Sequence, residues 1–488
     1  MLLPAGISGT VPIVTATPQI VNNLDDLGNA QLFLAKFGKA VRFCPELGAW
    51  LVWNGRRWQN DQPGLWRMVA TIARLRYRDA LRPGPFVTLA GEAVAHENLW
   101  AWARKTASKS RLQAMLDIAA KMDTAVVAAE DLDADLFTLN TPSGTLDLLT
   151  GELRAHRKED LLTQMTEAPY DPAAACPTWD RFVDEITCGD KELTEYLQES
   201  CGYSLCGAIR EQVLFLLVGK GANGKSTFLD AIFHCLGSYA KSTPAHTFVK
   251  SESRAIRNDI ARLMGARFVT AVEINTGRKL DEALVKRLTG GDPIVTRFLR
   301  REYFEFVPQA KFWLAVNVHP EVSGADDGIY RRVRVVPFNA AFKPSEMDKG
   351  LPAKLKAEAP GILAWAVRGF QRWRDRGFLL EPPAVTQASS DYRAQMDLTG
   401  AFITDCCAVS PEETVPVGGL FDAYLGWCRI NALEPMKKKT FGVLVRQKGF
   451  TQGKSGGARF WRGLGLSLSL PSLQVASQHP APAQDQVQ

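Results

Sequence analysis

Three apolar runs of strand length stand out in the middle of the chain: VLFLLVG from Val213, ARFVTAVE from Ala266 and AKFWLAVN from Ala310. Strands buried on both faces of a parallel sheet have such continuous apolar sequences, whereas strands with one face in water alternate apolar and polar residues. Helical patterns separate the runs. Residues 196–345 are therefore predicted to form an α/β domain around a parallel sheet.

The regions on either side of this domain are less regular. Residues 28–195 combine helical patterns such as Trp66–Leu81 with strand-like segments such as Trp50–Trp53, which predicts a mixed α+β domain. A helical pattern over Gly361–Gly377 stops before two prolines. The expected division of the chain is a disordered leader (1–27), an N-terminal domain (28–195), the α/β core (196–345), a helical connector (346–398), a C-terminal module (399–466) and a disordered tail (467–488).

The composition is that of an ordinary globular protein with several domains. A chain of 488 residues exceeds what one hydrophobic core normally supports, and 46% hydrophobic and 23% charged residues are typical fractions. The net charge of +6 permits a polyanionic partner without requiring one. Nine cysteines without a CxxC pair predict reduced thiols in a cytoplasmic protein, and no apolar run is long enough to predict a membrane span.

The segment GKGANGKS, from Gly219 to Ser226, matches the GxxxxGK[ST] pattern of a P-loop and directly follows the first apolar run. Small residues let backbone N–H groups surround phosphates, and the helix predicted over Thr227–Leu236 adds the positive end of its dipole. Lys225 can reach the terminal phosphates, and Ser226 can bind Mg²⁺. A glycine-rich turn that merely ends a strand is the alternative, which the complete pattern disfavours. The predicted ligands are ATP and Mg²⁺, and the predicted binding residues are Gly219, Lys220, Gly221, Ala222, Asn223, Gly224, Lys225, Ser226 and Thr227.

Four further residues could serve this site. Glu273 ends the second apolar run and could bind the metal or polarise water, and Asn317 ends the third and could orient a water molecule. Arg331 and Arg332 precede a strand predicted at Val335–Phe338. They could form a solvated edge, or an arginine finger that stabilises charge on a neighbour's nucleotide.

The order of P-loop, strand-end acid, strand-end asparagine and late arginine resembles superfamily 3 helicases, above all the phage/plasmid primase-helicases and their poxvirus-type relatives. The stretches that carry the resemblance are LVKRLTGGDPIVTR from Leu284, FLRREYFEFVP, AVNVHP and DDGIYRRVRVVPF, with GAWLVWNGRRW, NTPSGTLDLLTGEL and YLQESCGYSLCG before the P-loop. The similarity extends over residues 30–465. It implies an AAA+-like P-loop motor, a premotor domain before it and a winged-helix module at Phe402–Leu464.

The same resemblance implies a ring, expected to be a homo-hexamer, in which each arginine finger enters the adjacent subunit's site. It also implies a β-hairpin that points into a central DNA channel, with Thr296–Leu299 and Tyr303–Val307 as strands and Arg300–Glu302 as the tip. One departure is that Val272 stands where many of these motors place a second acid, so that Glu273 would act alone. The candidate DNA contacts in this region are Lys286, Arg297, Arg300 and Arg301.

The C-terminal module contains a strongly basic segment. Seven lysines or arginines and no acid lie between Met436 and Trp461. A helix with one buried face, followed by a hairpin wing at KSGGARFW, fits binding to the phosphates of duplex DNA. A lysine-rich, solvated face of a structural cap is the alternative. The candidate DNA contacts here are Lys437, Lys438 and Lys439.

Relatives of this kind often carry a primase domain, whose two metal ions need paired carboxylates. Asp131, Asp133 and Asp135 form a tempting cluster, but no partner His, Lys or further acid follows at a plausible strand end. An acidic loop is the better interpretation. We therefore expect no primase centre in this chain, and a separate primase or replication protein as a partner.

The P-loop and this resemblance together imply an ATP-dependent DNA helicase of a phage- or plasmid-type replication system. It would act on single-stranded and duplex DNA in the cytoplasm of a bacterial host. An ATP-dependent replication initiator or loader without processive unwinding would have the same pocket. A P-loop phosphotransferase is a further alternative, which leaves the hairpin and the basic segment unexplained.

Glu273→Gln should bind ATP normally and hydrolyse it at least about 10²-fold more slowly, because the amide keeps the shape of the side chain and removes the acid. Nucleotide affinity and steady-state ATPase rate, measured on the same preparation, test this. Loss of nucleotide binding would instead identify Glu273 as a metal ligand or a structural residue.

Overall fold

The computed structural model describes residues 17–250, 258–272, 279–297, 303–322, 327–345 and 347–467. The described helices are α1 (Asp26–Phe37), α2 (Gln62–Leu81), α3 (His96–Thr106), α4 (Lys109–Ala119), α5 (Pro177–Ile186), α6 (Lys191–Tyr203), α7 (Lys225–Leu236), α8 (Asn258–Ala261), α9 (Glu282–Gly290), α10 (Asp327–Tyr330), α11 (Leu351–Ala357), α12 (Ala359–Arg376), α13 (Pro383–Met396), α14 (Leu398–Cys406), α15 (Val417–Ile430) and α16 (Lys438–Gln447). The described strands are β1 (Gln19–Val21), β2 (Val41–Cys44), β3 (Ala49–Trp53), β4 (Trp58–Gln59), β5 (Phe86–Thr88), β6 (Ala93–Val94), β7 (Thr138–Thr141), β8 (Gly144–Asp147), β9 (Leu153–Arg154), β10 (Leu214–Val218), β11 (Ala240–Ser242), β12 (Phe268–Val272), β13 (Ile294–Thr296), β14 (Phe304–Phe306), β15 (Lys311–Val316), β16 (Val333–Pro337), β17 (Cys407–Pro416), β18 (Thr451–Ser455) and β19 (Ala458–Leu466).

A five-stranded parallel sheet forms the centre of the molecule, in the order β11-β12-β15-β10-β16. Strand β10 lies between β15 and β16, so both of its edges are paired. Phe215 and Leu217 face one hydrophobic core, whereas Leu214 and Leu216 face another. Burial on both faces explains the continuous apolar sequence. The predicted mixed α/β fold with a parallel sheet is confirmed.

Segments before and after the sheet complete the core on one of its faces. Trp179 of α5 stacks on Phe228 of α7, with ring centroids 5.4 Å apart, and meets Trp365 of α12 edge-on at 5.3 Å. Phe215 stacks on Trp313 at 4.2 Å within the sheet. Large aromatic side chains bury much apolar area. The sheet therefore depends for its burial on helices from both flanking regions.

Two buried cations attach the amino-terminal edge of the sheet to the segment before it. Arg267 lies just before β12, is fully buried and donates hydrogen bonds to the backbone oxygens of Leu205 (2.7 Å) and Asp135 (3.2 Å). Lys311 begins β15, and its buried ammonium donates to the Cys206 oxygen. Burial lowers the pKa of Lys311 to about 8. Buried charges are tolerated only with such partners, so the carbonyl positions are tightly specified.

The N-terminal region is built around small sheets and helices. Helices α1, α2 and α4 pack with β3 around Phe33, Trp50 and Met115. Helix α2 begins earlier than its apolar pattern indicates, because Asp61 accepts a hydrogen bond from the Gly64 N–H and caps the helix. The predicted helix and strand of this region are both present, together with the three-stranded sheets β1-β5-β6, β2-β3-β4 and β7-β8-β9.

The predicted hairpin is present, and its first strand begins earlier than predicted. Strands β13 and β14 pair antiparallel, with Ile294 opposite Phe306. Strand β13 begins two residues before the predicted Thr296, and the predicted positions 298 and 299 lie outside the described residues. Val295 is exposed between the buried Ile294 and Thr296, an alternation typical of a strand. The predicted tip residues Arg300 and Arg301 lie outside the described residues.

The C-terminal module contains a three-stranded antiparallel sheet in the order β17-β19-β18 beside α14, α15 and α16. The predicted basic helix is α16, and the predicted wing is the β18–β19 hairpin, which turns at Gly456 and Gly457. Strand β17 was not predicted, because most of its residues are exposed and it lacks an apolar alternation. Within the described ranges, no helix has the length and apolar character needed to cross a membrane.

Replacing Gly202 with alanine should lower the free energy of unfolding by about 2 kcal/mol, because α6 and α12 touch there. A methyl group at this position would lie 2.6 Å from the Ala366 carbonyl oxygen. Gly418→Ala in α15 is the control, since its added methyl group would have no neighbour within 4 Å. Denaturant unfolding of both variants measures the effect. Equal stability of the two variants would contradict the close approach of α6 and α12.

Candidate nucleotide-binding site

The glycine-rich loop connects the carboxyl end of β10 to α7. Gly221, Ala222 and Gly224 have positive φ angles of 90°, 47° and 86°. A side chain at Gly219 would collide with the Phe338 carbonyl oxygen, and one at Gly224 would collide with Ile186. Gly219 and Gly224 therefore have no room for a side chain. Because the first turn of a helix leaves N–H groups without intrahelical partners, α7 presents donors towards the loop.

Lys225 folds back over this loop. Its side chain is 6% exposed, and Nζ donates hydrogen bonds to the Gly219 oxygen (2.7 Å) and to Asn223 Oδ1 (3.0 Å). Asn223 Nδ2 donates in turn to the Phe338 oxygen at 3.2 Å, which anchors the amide to the chain after β16. Burial lowers the pKa of Lys225. All of these acceptors are neutral, so the ammonium retains a positive charge that an anion would compensate.

Asn317 reaches the same place from the neighbouring strand. It follows β15, whose last residue Val316 is level with Val218 at the end of β10. Lys225 Nζ lies 3.4 Å from Asn317 Oδ1, and the Asn317 side chain is exposed. Two residues predicted for one site are thus brought together by the parallel register. Ser226 is exposed in the first turn of α7.

The predicted acid cannot be located in the same way. Glu273 directly follows β12, the strand next to β15, but it lies outside the described residues. Among the residues that the structure does describe, no group of three or more His, Cys, Asp or Glu side chains is arranged to hold a metal ion. Ser226 is therefore the predicted metal ligand whose position is known.

The two candidate finger arginines differ in environment. Arg332 is 8% exposed and donates hydrogen bonds to the Gly328 oxygen (2.9 Å) and to Gln212 Oε1 (3.1 Å), and burial lowers its pKa. Arg331 is exposed, and its backbone N–H donates to the Asp327 oxygen at 3.1 Å. Sequence reasoning could not separate these adjacent residues. The structure assigns Arg332 to internal packing and leaves Arg331 at the surface.

Arg331 lies at the amino-terminal end of the parallel strands, whereas the loop of its own chain lies at their carboxyl-terminal end. Strand β16 begins at Val333, which is level with Leu214 at the start of β10, whereas the glycine-rich loop follows the end of β10. At about 3.3 Å per residue, the length of this strand is about 13 Å. The exposed Arg331 therefore lies at the end of the sheet opposite to the nucleotide loop of its own chain.

The candidate DNA contacts fall into two separate groups. Lys286 lies on α9, and Arg297 follows β13 with its guanidinium 4.6 Å from the ring of Tyr303. In the C-terminal module, three consecutive lysines are exposed at the start of α16: Lys437, Lys438 and Lys439.

In the loop that contains Asp131, Asp133 and Asp135, one of the three acids, Asp133, is buried. Asp133 is 4% exposed and accepts hydrogen bonds from the N–H groups of Thr163 (2.8 Å) and Gln164 (3.3 Å). Burial raises its pKa. This carboxyl group holds two chain segments together, which the sequence pattern alone could not reveal.

Comparison with known proteins finds two matching family models and several viral relatives. Residues 30–188 match the family model described as D5 N terminal like, and residues 217–332 match a family described as of unknown function. A protein of Acanthamoeba polyphaga mimivirus named "Putative helicase" is 29% identical over 298 residues, which cover 56% of this chain and 31% of the relative. A "Putative helicase" of Frog virus 3 (isolate Goorha) is 24% identical over 278 residues, which cover 53% of this chain and 28% of the relative. The chain thus spans about a third of the length of these curated relatives.

The overall fold has a counterpart among solved structures. An apo structure of the NrS-1 C terminal region has a TM-score of 0.50 with 10% sequence identity and covers 91% of this chain and 100% of that chain. A further structure of that region has a TM-score of 0.49 with 12% identity, covering 90% of this chain and 99% of that chain. At such identity the likeness establishes the fold alone. Residues 30–188 thus match the D5 N terminal like family model and the chain is similar to viral proteins named putative helicases, which confirms the predicted resemblance to the primase-helicase family.

Proposed function

We propose that this protein is an ATP-dependent DNA helicase of a phage- or plasmid-type replication system, which hydrolyses ATP at the interfaces between its subunits. The observation that carries the proposal is the position of the Lys225 ammonium. It has neutral partners, lies beside Asn317 and sits at the carboxyl edge of a parallel sheet. Ligands of open α/β sheets bind at this edge.

The glycine-rich loop and the residues around it would have separate roles in nucleotide hydrolysis. Backbone N–H groups of the loop and of the first turn of α7 would surround the phosphates, and Lys225 would neutralise the terminal ones. Mg²⁺, held by the Ser226 hydroxyl and by Glu273, would neutralise charge on the phosphate oxygens. Asn317, whose Oδ1 lies 3.4 Å from Lys225 Nζ, would orient the attacking water against the γ-phosphate.

The position of Arg331 supports a site that is completed by a second subunit. Arg331 is exposed at the amino edge of the sheet, whereas the loop lies at the carboxyl edge. Repeated contacts that place one end of the sheet against the other are head-to-tail, and such contacts form a ring when the rotation between subunits closes. We propose a homo-hexameric ring in which Arg331 stabilises the transition state on the neighbour's nucleotide.

Two basic regions support DNA as the polymer that is moved. Lys286 and Arg297 adjoin the β13–β14 hairpin, which would reach single-stranded DNA in the channel of the ring. The three exposed lysines at the start of α16, beside the β18–β19 wing, would bind duplex phosphates. A separate primase or replication protein would supply primers. An initiator without processive unwinding would use the same site, and a strand-displacement assay distinguishes the two.

Lys225→Ala should lower the ATPase rate at least about 10²-fold and leave the melting temperature nearly unchanged, because the lysine neutralises charge that develops on the phosphates. Lys191→Ala is the control, since Lys191 is an exposed lysine at the start of α6. ATPase rates and thermal melts of both variants are compared with the wild type. Wild-type turnover in Lys225→Ala would place the chemistry elsewhere.

Arg331→Ala and Arg332→Ala should fail in different ways. Arg331→Ala should keep its stability and lose ATP hydrolysis, because it removes an exposed side chain that acts on the nucleotide of the neighbouring subunit. The second should lower the free energy of unfolding by about 1–3 kcal/mol, because Gln212 and the Gly328 oxygen lose their buried partner. Denaturant unfolding and ATPase assays measure the two effects.

Subunit mixing tests the shared site directly. Inactive Lys225→Ala subunits mixed with inactive Arg331→Ala subunits should recover part of the ATPase activity, because some interfaces then combine an intact loop with an intact arginine. Full activity of a protein that remains monomeric at the assay concentration would overturn the ring.

A further inference from the structure

Helix α13 lies across the outer strand of the central sheet, after the connector helix α12. The backbone N–H of Val335 in β16 donates a hydrogen bond to Ser389 Oγ at 3.0 Å. Strand β16 is an edge strand, so this contact satisfies one of its unpaired N–H groups. The helix is thereby held in a fixed position beside the sheet.

Tyr392 of this helix contacts both segments that carry the proposed catalytic side chains. It is 1% exposed, and its hydroxyl group donates a hydrogen bond to the Pro320 oxygen at 2.7 Å. Its ring stacks on His319 at 4.8 Å and meets Tyr330 edge-on at 6.3 Å. His319 and Pro320 closely follow Asn317, and Tyr330 directly precedes Arg331.

Neighbouring residues of α13 reinforce both contacts. His319 Nδ1 and Gln395 Oε1 are 3.1 Å apart, within hydrogen-bond distance. Arg393 forms an ion pair with Asp327, and its guanidinium lies 5.4 Å from the ring of Tyr330. The Asp327 backbone oxygen accepts the hydrogen bond from the Arg331 N–H. One face of α13 therefore touches the chain after Asn317 and the short helix before Arg331.

We propose that Tyr392 and Arg393 are positioning residues that link two active sites of the ring. Tyr392 sets the segment carrying Asn317, which faces the chain's own nucleotide, against the helix that presents Arg331 to the neighbour's nucleotide. Arg393 positions only the second of these elements, the short helix α10 that precedes Arg331. The inference rests on the proposed hydrolysis at subunit interfaces.

The exposed fractions of these side chains distinguish the positioning role from a purely structural one. The Arg393 and Asp327 side chains are 57% and 86% exposed, and ion pairs in water contribute little to folding stability. Loss of the Arg393 charge should therefore leave the fold intact and act on the orientation of α10. Tyr392 is buried, so its conservative replacement by phenylalanine keeps the ring contacts and removes the hydrogen bond to Pro320.

The first experiment measures kcat, KM and melting temperature for Arg393→Gln, Arg393→Lys and Tyr392→Phe. Arg393→Gln should lower kcat about tenfold at unchanged KM and melting temperature, because small displacements of a catalytic group reduce the rate strongly. Arg393→Lys should recover part of the loss. Arg67→Gln, which removes an ion pair between an exposed arginine and Asp61 in the N-terminal region, should match the wild type.

The second experiment mixes each variant with Lys225→Ala subunits, which still supply an intact Arg331. Arg393→Gln should be rescued as well as Arg331→Ala is, since it is defective as a donor of the arginine. Tyr392→Phe should be rescued less, because its own Asn317 is also displaced.

The outcomes separate this inference from the function on which it rests. Wild-type kcat in both Arg393→Gln and Tyr392→Phe, beside an inactive Arg331→Ala, would overturn the positioning role and leave the interface site standing. A lowered melting temperature that accounts for the loss in Arg393→Gln would also overturn it. Full activity of Arg331→Ala would instead refute the proposed interface site.

Discussion

The burial of β10 on both edges and both faces is the constraint on which the other parts depend. Strands β15 and β16 pair with its edges, and two separate hydrophobic cores cover its faces. A strand held in this way cannot slide, because a shift of one residue would exchange the side chains of the two cores. The loop that follows Val218 therefore starts from a fixed point. The parallel neighbour β15 places Asn317 beside that point, and β16 places Arg331 at the opposite end of the strands.

Much of this fold could be predicted because its signals are local. The apolar runs identify the strands of the parallel sheet, and the glycine-rich segment identifies the loop by residue size alone. What could not be predicted depends on partners distant in sequence. The stacking of Trp179 on Phe228 and the burial of Asp133 are examples, since neither residue carries a local pattern that names its partner. Strand β17 was missed because its pairing with β19 compensates for an exposed, polar sequence.

The candidate site also has parts that local sequence predicts and parts that depend on residues distant in sequence. Lys225 and its loop follow from a contiguous motif, and the proximity of Lys225 to Asn317 follows from strand order. The difference between Arg331 and Arg332 does not, because adjacent arginines look identical until Gln212 and the Gly328 oxygen are found beside one of them. Burial decides such cases, and burial is a property of the whole fold.

The buried cations Arg267 and Lys311 bear on how such proteins exchange parts during evolution. Three of their backbone acceptors, Asp135, Leu205 and Cys206, precede the glycine-rich loop, and Asp135 falls inside the stretch that matches the D5 N terminal like family. A new N-terminal region joined directly before the loop would have to place backbone oxygens at the same positions, or the two cations would lose buried partners. A crossover before Asp135 keeps all three of these acceptors, so the structural unit around the sheet is longer than the motor that the sequence motifs outline.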